Sequence, residues 1–363
     1  MKIGILTFHC AHNYGAVLQA YALQEFLKSH QFETYVIDYR PKELTGPFKV
    51  FKFSYWMSKK PAECIQRLLH EPFNLPLRIQ RHGGFRSFIK KRLSLKKIDL
   101  TSDQTDIDVF IVGSDQIWTS GIFNGLNPVY FTAFNAAKNK KNIAYAASMG
   151  EGSLYPIECY LFSKYLKNFS SISVRESMLQ DLLQPLTEKK IHQVLDPTLL
   201  VHPQVFDKIA IKPQIAQPYI LVYQISSDDK TRQIAEDLAK QENGIVIEIK
   251  AWVRKDNHTD VLVATPEEFI GYFKYAHCVV TTSFHGTAFS VIYEKPFYVV
   301  NSSKQKPASQ NRMRSLLSAI DLNSRYISED ARPEFTEINY SKVKTELSAL
   351  KENSKSFLLQ ALN

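Results

Sequence analysis

The chain opens with KIGILTFHCAHNYGAVLQAYAL, residues 2–23, in which an apolar run leads through a polar bend into a helical pattern. The run Lys2–Phe8 has the composition of a buried strand. Ala16, Ala20 and Leu23 recur at the spacing of one helix face, which predicts a helix packed on a sheet. A strand followed at once by such a helix is the first unit of an α/β fold.

The same alternation continues along the chain and predicts mostly parallel sheets covered by helices. Prolines at positions 203, 213 and 218 divide it into two series, so we expect two Rossmann-like domains, 1–205 and 206–363, facing a central cleft. The first domain carries an insertion at about 41–105, and the last helix is expected to pack back on this domain. Strands are predicted at Lys2–Phe8, Glu33–Asp38, Val109–Val112, Asn142–Ala146, Ser171–Val174, Gln193–Leu195, Tyr219–Gln224, Ile245–Ile249, Cys278–Thr282 and Phe297–Val300. In the second half, helices are predicted at Lys230–Gln241, Pro266–Tyr275, Thr287–Tyr293, Arg312–Ala319 and Ser341–Leu362.

The charge balance favours anionic partners. The 363 residues include 45 Lys and Arg against 36 Asp and Glu, a net charge of +9. Phosphorylated metabolites, a lipid-linked pyrophosphate or an acidic membrane surface would suit this charge. The sequence shows no nucleic-acid-binding signature, so no nucleic-acid partner is expected.

The cysteines and the lack of long apolar runs indicate a cytoplasmic protein. Cys10, Cys64, Cys159 and Cys278 form no Cys-x-x-Cys pair, so neither a disulfide framework nor a metal site is expected. Cys10 is expected to be a small buried side chain rather than a nucleophile. No apolar stretch reaches the roughly 18 residues of a membrane span, and no secretory signal precedes the first strand. Any membrane contact is therefore expected to be peripheral.

Ligands of such folds bind beyond the carboxyl ends of the strands, so polar residues that follow strands are the site candidates. The first cluster, His12, Asn13, Tyr14 and Gly15, follows the opening strand. Either His12 or Asn13 is expected to cap the helix, whose first N–H groups can bind an anion or a hydroxyl oxygen. A plain helix cap is the alternative. The roles of His9 and His12 stay open between capping, packing and sugar contact.

The second cluster follows the strand Val109–Val112. Ser114, Asp115 and Gln116 offer donors and acceptors to a polyhydroxylated ligand, and Trp118 offers a face on which a sugar can stack. Asp115 can also activate an acceptor hydroxyl. The alternative places Asp115 as a helix cap and Trp118 in the core.

The third cluster is centred on Arg175, which ends a predicted strand and can hold a phosphate or carboxylate with two hydrogen bonds. A surface ion pair with Glu176 is the alternative.

The fourth cluster, Ser283-Phe284-His285-Gly286-Thr287, leads from a buried strand into a helix. It places an imidazole able to exchange a proton beside backbone amides that favour anions. A structural histidine is the alternative. Downstream, Lys304, Lys306 and Arg312 are further cations within reach of an anion in the cleft, and for the two lysines solvated loop charges are the alternative.

Together these motifs resemble the polysaccharide pyruvyl transferase family, in the family's order, over residues 1 to about 325. The segments that carry the resemblance are Thr7–Leu23 with its His-Asn-Tyr-Gly-Ala core, Gly113–Trp118, Ser173–Glu176, Asp196-Pro197-Thr198 and Ser283–Ala288. The resemblance implies a GT-B-like pair of Rossmann domains. It also implies transfer of a carboxyethylidene group, a pyruvate ketal, from phosphoenolpyruvate to a pair of sugar hydroxyls in a bacterial surface polysaccharide or its lipid-linked precursor.

The resemblance, which concerns His285, Arg175 and one basic residue after the strand Phe297–Val300, combines with the four clusters to give each candidate an expected role. His285 is the leading catalytic candidate, with Asp115 as a second. Arg175 is expected to bind the donor together with Ser283, Gly286, Thr287 and one of Lys304, Lys306 and Arg312. His12, Asn13, Tyr14, Gly15, Ser114, Gln116 and Trp118 are expected on the acceptor side. No metal or other cofactor is required, because the donor chemistry needs an acid, cations and a hydroxyl nucleophile.

Two other functions fit the same pattern. A GT-B glycosyltransferase that uses a nucleotide sugar would share the fold and the cleft. A non-catalytic carbohydrate-binding partner in polysaccharide assembly would need the polar cleft but no proton transfer.

Overall fold

A computed structural model of the chain describes residues 1–48, 61–150, 152–251, 261–305 and 307–363. In it the first series of strands forms a seven-stranded parallel sheet in the order β3-β2-β1-β4-β5-β6-β7. The strands are β1 Lys2–Leu6, β2 Glu33–Ile37, β3 Leu95–Lys96, β4 Val109–Val112, β5 Lys141–Ala147, β6 Ser171–Val174 and β7 Ile191–Gln193.

The second series forms a six-stranded parallel sheet in the order β10-β9-β8-β11-β12-β13. Its strands are β8 Tyr219–Gln224, β9 Ile245–Lys250, β10 Val261–Leu262, β11 Cys278–Thr281, β12 Phe297–Asn301 and β13 Tyr326–Ser328. The expected pair of mostly parallel, Rossmann-like α/β sheets is thus confirmed. The strand order reverses beside β1 and beside β8, and such switch points are where ligands of open α/β sheets bind.

Helices connect and cover the strands. The longer ones are α1 Tyr14–Ser29, α2 Pro61–Arg92, α3 Pro156–Tyr165, α4 Ser177–Leu183, α5 Asp229–Gln241, α6 Pro266–Tyr275, α7 Phe284–Ile292, α8 Pro307–Ala319 and α9 Tyr340–Leu362. Short α-helical turns lie at Lys42–Thr45, Ser120–Phe123, Pro197–Leu200 and Gln204–Asp207. Short 3₁₀ turns lie at Gly46–Phe48, Pro128–Phe131, Asn135–Ala137, Leu166–Asn168, Gln184–Leu186 and Asn323–Arg325. Among the described helices, none has the length and apolarity that a membrane crossing would require.

Several element boundaries differ from the sequence prediction, and the helix expected from Arg312 begins five residues earlier, at Pro307. The strand expected at Gln193–Leu195 lies two residues earlier, at Ile191–Gln193. Leu195 is outside the ladder because its N–H donates to Ser354 Oγ of α9 instead (2.9 Å). The helix expected from Thr287 begins at Phe284, so His285 lies in its first turn rather than in the loop before it.

Helix α9 touches both sheets. At its start, the Tyr340 hydroxyl donates to the Lys295 carbonyl just before β12 (2.7 Å). Near its end, Phe357 packs against the ring of His192 in β7 (5.0 Å between ring centroids). At its C-terminus, Lys141 Nζ at the start of β5 donates to the Leu362 carbonyl (3.3 Å). The last helix therefore links the two halves of the molecule, the first half being the one built on the seven-stranded sheet and the second the one built on the six-stranded sheet.

Candidate active site

The carboxyl ends of β1, β4, β6 and β11 meet around His285. This residue is 8% exposed, and its Nε2 lies 3.6 Å from Asp196 Oδ2. Nε2 is buried and has no hydrogen-bond partner among the described residues. A buried imidazole nitrogen left unpaired beside a carboxylate is costly for folding alone, and such groups are characteristic of sites that bind a ligand.

Gly15 makes room for this histidine across the cleft. A Cβ at position 15 would lie 2.0 Å from His285 Nδ1 and 2.4 Å from the neighbouring ring carbons. Only glycine fits at this close approach. The first turn of α1, from one half, is therefore in direct contact with the imidazole of α7, from the other.

Arg175 is buried, and its guanidinium makes hydrogen bonds to three different side chains. Its guanidinium donates to Glu176 Oε1 (3.0 Å), to Asp196 Oδ2 (2.7 Å) and to Ser148 Oγ (2.9 Å). The ring of Phe284 lies 4.3 Å from the guanidinium carbon. A guanidinium has five N–H donors, so two remain uncommitted in these contacts. The alternative of a surface ion pair with Glu176 is wrong in its setting, because both side chains are buried.

Opposite charges stabilise this cluster. Burial on its own raises the pKa of Asp196, but His285, Arg175 and the hydrogen bonds from Thr198 outweigh it and hold that pKa well below its usual range. Burial on its own lowers the pKa of Arg175, but Glu176 and Asp196 outweigh it and raise that pKa. The carboxylate and the guanidinium are therefore both ionised.

Arg312, in α8, is a second guanidinium near the same centre. Burial and the positive charge of Arg175 lower its pKa to about 10. Arg175 and Arg312 both line a cavity of about 300 Å³ that also reaches Asp196 and Phe284. Two arginines at one cavity form a site suited to an anion with several oxygens.

The second cluster, after β4, divides between core and cleft. Ser114 is fully buried and its Oγ lies 3.0 Å from Asp196 Oδ2, so it contacts the charged cluster. Asp115 and Gln116 are partly exposed, and Asp115 Oδ1 accepts from the Gln116 N–H (2.8 Å). Gly113 is required for close packing, since a Cβ there would lie 2.0 Å from the Tyr145 carbonyl oxygen.

Trp118 offers no sugar-stacking face, and that expectation is corrected. Its side chain is 0% exposed, stacks on Phe131 (5.3 Å between ring centroids) and donates from Nε1 to the Tyr130 carbonyl (3.0 Å). Aromatic packing of this kind explains the residue fully.

Tyr14 is likewise buried, so its expected place on the acceptor-side wall is corrected. Its hydroxyl donates to the Ala264 carbonyl (2.7 Å) and accepts from Arg81 Nη1 (2.8 Å), while its ring stacks on Phe269 (4.4 Å). Tyr14 therefore joins the two halves.

The polar residues of the opening bend have separate tasks. Asn13 caps α1, its side chain accepting from the Ala16 N–H (3.2 Å). His12 stacks on Phe85 (5.3 Å) and approaches His82 (4.8 Å), and burial followed by the charges of His82, Arg81 and Arg40 lowers its pKa to about 3.

His9 and Cys10 lie deeper in the same bend. His9 is fully buried, with Nε2 3.1 Å from Asp38 Oδ1. Burial raises the pKa of the Cys10 thiol to about 11, which disfavours the nucleophilic thiolate.

The remaining donor-side candidates differ in access. Thr287 is fully buried and its hydroxyl donates to the Ser283 carbonyl (3.0 Å), so its side chain serves the helix. At Gly286 a Cβ would lie 2.1 Å from Thr281 Oγ1, which requires glycine for packing. Ser283 is 5% exposed and caps α7 without a side-chain bond to that helix.

Lys304 and Lys306 complete the candidates. Lys304 is exposed and its Nζ donates to the Ser227 carbonyl (3.0 Å). Lys306 lies outside the described residues. Of the described cations proposed after β12, Arg312 is the one at the cavity of Arg175.

Sequence reasoning did not assign Asp196 to the site. It is fully buried, lies between Arg175 and His285, and its Oδ1 accepts from the Thr198 N–H (3.0 Å) and hydroxyl (2.7 Å). The signal was an Asp-Pro-Thr directly after a strand, which also reads as an ordinary helix cap. Within the described ranges no group of three or more His, Cys, Asp and Glu side chains is placed to hold a metal ion.

Comparison with solved structures finds distant likenesses. UDP-GlcNAc 2-epimerase from Neisseria meningitidis bound to UDP-GlcNAc is 13% identical over 99% of this chain and 100% of its own, with a TM-score of 0.47. UDP-GlcNAc 2-epimerase from Methanocaldococcus jannaschii, in complex with UDP-GlcNAc and UDP, is 12% identical over 97% and 93% of the two chains, with a TM-score of 0.43. An E. coli heptosyltransferase with ADP-2-deoxy-2-fluoro heptose is 10% identical over 96% and 99%, with a TM-score of 0.39. Among curated proteins no significant match is found.

A family model gives the decisive comparison. The model of the polysaccharide pyruvyl transferases matches residues 13–304, a range that contains Gly15, Arg175, Asp196 and His285. Because the match covers most of the sequence and the whole of this charged cluster, the chain belongs to the polysaccharide pyruvyl transferase family.

Proposed function

We propose that this transferase moves a carboxyethylidene group from phosphoenolpyruvate to two hydroxyls of a sugar in a bacterial surface polysaccharide or its lipid-linked precursor. The observation that carries the proposal is the buried cluster of His285, Asp196 and Arg175, with Arg312 close by. An imidazole, a carboxylate and two guanidinium groups are the side chains that this donor chemistry needs.

The two arginines are proposed to hold the donor. Phosphoenolpyruvate carries a phosphate and a carboxylate, and both are suited to bidentate contact with guanidinium groups. Arg175 is fixed by Glu176, Asp196 and Ser148 and keeps two N–H donors for a ligand. Its fixed position avoids an ordering cost when the anion binds.

His285 is proposed to supply the proton that starts the reaction. Protonation of the donor's methylene carbon gives a methyl group and makes the adjacent carbon electrophilic. Asp196 Oδ2 lies 3.6 Å from Nε2, so the imidazole faces a carboxylate on the side of this nitrogen.

The acceptor then completes the ketal. One sugar hydroxyl forms a bond to the electrophilic carbon and loses its proton, and the carbon–oxygen bond to phosphate breaks. The second hydroxyl forms the other ketal bond and loses its proton. The donor's methylene carbon takes up one proton, and the two sugar hydroxyls release two. The one proton that remains leaves on the phosphate. Partly exposed Asp115 is the proposed base for a hydroxyl.

The test combines binding with turnover. Phosphoenolpyruvate should raise the melting temperature of the protein, whereas nucleotide sugars should not. With a panel of synthetic and lipid-linked glycosides, we expect phosphate release and a mass gain of one pyruvate ketal on one acceptor. His285→Ala should abolish both, while His202→Ala, at an exposed histidine, should retain them.

Other outcomes identify the rival functions. Stabilisation by a nucleotide sugar alone would indicate a glycosyltransferase. Binding of a glycan without phosphate release would indicate a carbohydrate-binding protein. Full activity in His285→Ala would remove this histidine from the mechanism.

A further inference from the structure

The cavity beside Arg175 is bordered by residues other than the acceptor candidates. It lies between β7, α8 and α9, and its inner end is formed by Arg175, Asp196 and Phe284. Lys190, which also lines the cavity, is exposed, so the lining extends from the surface to the buried cluster. The acceptor candidates that follow β1 and β4 do not line it.

The charged cluster lies between the cavity and helix α1. Arg175 donates to Asp196, and Asp196 lies 3.6 Å from His285. Phe284 lines the cavity, whereas the next residue, His285, contacts Gly15 in the first turn of α1. A ligand in the cavity would therefore approach the cluster from the side opposite α1.

The size and charge of the cavity suit a small anion. Its volume of about 300 Å³ equals that of about ten liquid water molecules, and phosphoenolpyruvate has about ten non-hydrogen atoms. Arg175, Arg312 and Lys190 give it three cations, and the carboxylate among its lining residues is Asp196, already paired with Arg175. A cleft lined by positive charge concentrates anions and speeds their association.

We propose that this cavity is a separate anion route, through which the phosphorylated donor reaches Arg175 and inorganic phosphate leaves while the sugar remains bound. The inference rests on the proposed function for the identity of the donor. The route itself requires only that a phosphate-bearing anion binds in the cavity.

Filling the cavity tests the route. Ser315 lines it from α8, whereas Ser318 on the same helix is exposed and does not line it. We expect Ser315→Trp to lower kcat/KM for phosphoenolpyruvate at least tenfold and to leave the KM of the sugar within twofold. Ser318→Trp should behave as the unsubstituted protein. An unchanged kcat/KM in a folded Ser315→Trp protein would overturn the route.

A charge reversal at Lys190, the exposed lysine that lines the cavity, gives a second test that leaves the packing of the interior unchanged. Lys190→Glu should lower kcat/KM for phosphoenolpyruvate several-fold at low salt, with the difference shrinking as salt screens the charge. Lys164→Glu, an exposed lysine on α3 that does not line the cavity, is the control. Equal losses in both variants would contradict the route.

Phosphate binding separates this inference from the proposed function. Equilibrium dialysis should show that inorganic phosphate binds the unsubstituted protein at least tenfold more tightly than Ser315→Trp. This result would support the route even if no sugar were pyruvylated. The absence of pyruvylation would count against the proposed function alone. Phosphate that binds both proteins equally, or binds neither, would overturn the route.

Discussion

The contact between Gly15 and His285 shows why a small residue occupies the polar bend. From the sequence, Gly15 was expected on the acceptor side of the cleft. In the structure the space above Gly15 is occupied by the imidazole of the other half. The requirement for glycine is therefore a packing requirement across the cleft, which local sequence alone could not specify.

Gly15→Ala should impair catalysis more than folding. Alanine favours helices, and α1 itself would gain about 0.5–1 kcal/mol. The new methyl group, however, would occupy the place of His285 Nδ1 and displace the ring. A shift of about 1 Å in a catalytic group costs about 100-fold in rate, so we expect a fall in kcat of that order with little change in melting temperature.

Gly83→Ala is the matched control, since Gly83 also lies in a helix and a Cβ there would meet no atom within 4 Å. It should keep full activity. Equal kcat values for both variants would show that Gly15 does not position His285.

At the residue scale, sequence reasoning used the position directly after a strand as its signal for site candidates. It selected His285, Arg175 and Ser114, which the fold brings together around Asp196. It could not show which way a side chain points, and so it assigned Trp118 and Tyr14 to a ligand although both pack inside. It counted Asp196 among the residues that carry the family resemblance but gave it no role in the site.

Among the elements, the strands were easier to predict than the insertion. Buried parallel strands are short apolar runs, and Val109–Val112, Ser171–Val174 and Tyr219–Gln224 have the predicted bounds. Helix α2 crosses the insertion although its sequence disfavours a helix at two places. These are the prolines Pro72 and Pro76 and the glycine pair Gly83-Gly84. Gly84 has a tertiary reason, because a Cβ there would lie 2.8 Å from Thr265 Cγ2 in the other half.

The packing of the opening bend on α2 makes stability depend on pH. His12 stacks on Phe85 of α2, and its pKa is lowered to about 3, whereas an unfolded histidine titrates near 6.5. Between these values the unfolded chain binds one proton more than the folded chain, so acid favours unfolding.

Relative to His12→Gln, we expect the unsubstituted protein to lose about 1 kcal/mol more of its free energy of unfolding between pH 7 and pH 5. This magnitude allows for solvent screening of a partly exposed ring. Urea denaturation at several pH values measures it, with His202→Gln, at an exposed histidine, as the surface control. Parallel pH curves for the two proteins would show that His12 does not carry the dependence.

Across the whole molecule, the two halves are joined by buried polar contacts as well as by apolar packing. Arg81 of α2 donates to the Tyr14 hydroxyl, to the His12 carbonyl (2.8 Å) and to the Lys250 carbonyl in the second sheet (3.4 Å). Tyr14 in turn donates to Ala264. One apolar core of buried residues also runs through both halves. This shared interior fixes the position of His285 relative to Gly15 in the first turn of α1. The proposed chemistry requires such fixed positions.

Tyr14→Phe tests how strongly this junction holds the halves together. The substitution keeps the ring that stacks on Phe269. It removes the hydroxyl that donates to the Ala264 carbonyl and accepts from Arg81 Nη1, so both groups lose this hydrogen-bond partner. An unsatisfied buried group costs about 1–3 kcal/mol, so the free energy of unfolding should fall by about 2 kcal/mol. Tyr155→Phe, at a tyrosine that is 72% exposed, should change it by less than about 0.5 kcal/mol. Because the hydroxyl bonds across the two halves, the loss should be the same whether unfolding is followed in the first sheet or in the second. A loss confined to one sheet would mean that the halves unfold independently, and that the approach of Gly15 to His285 depends on contacts other than Tyr14.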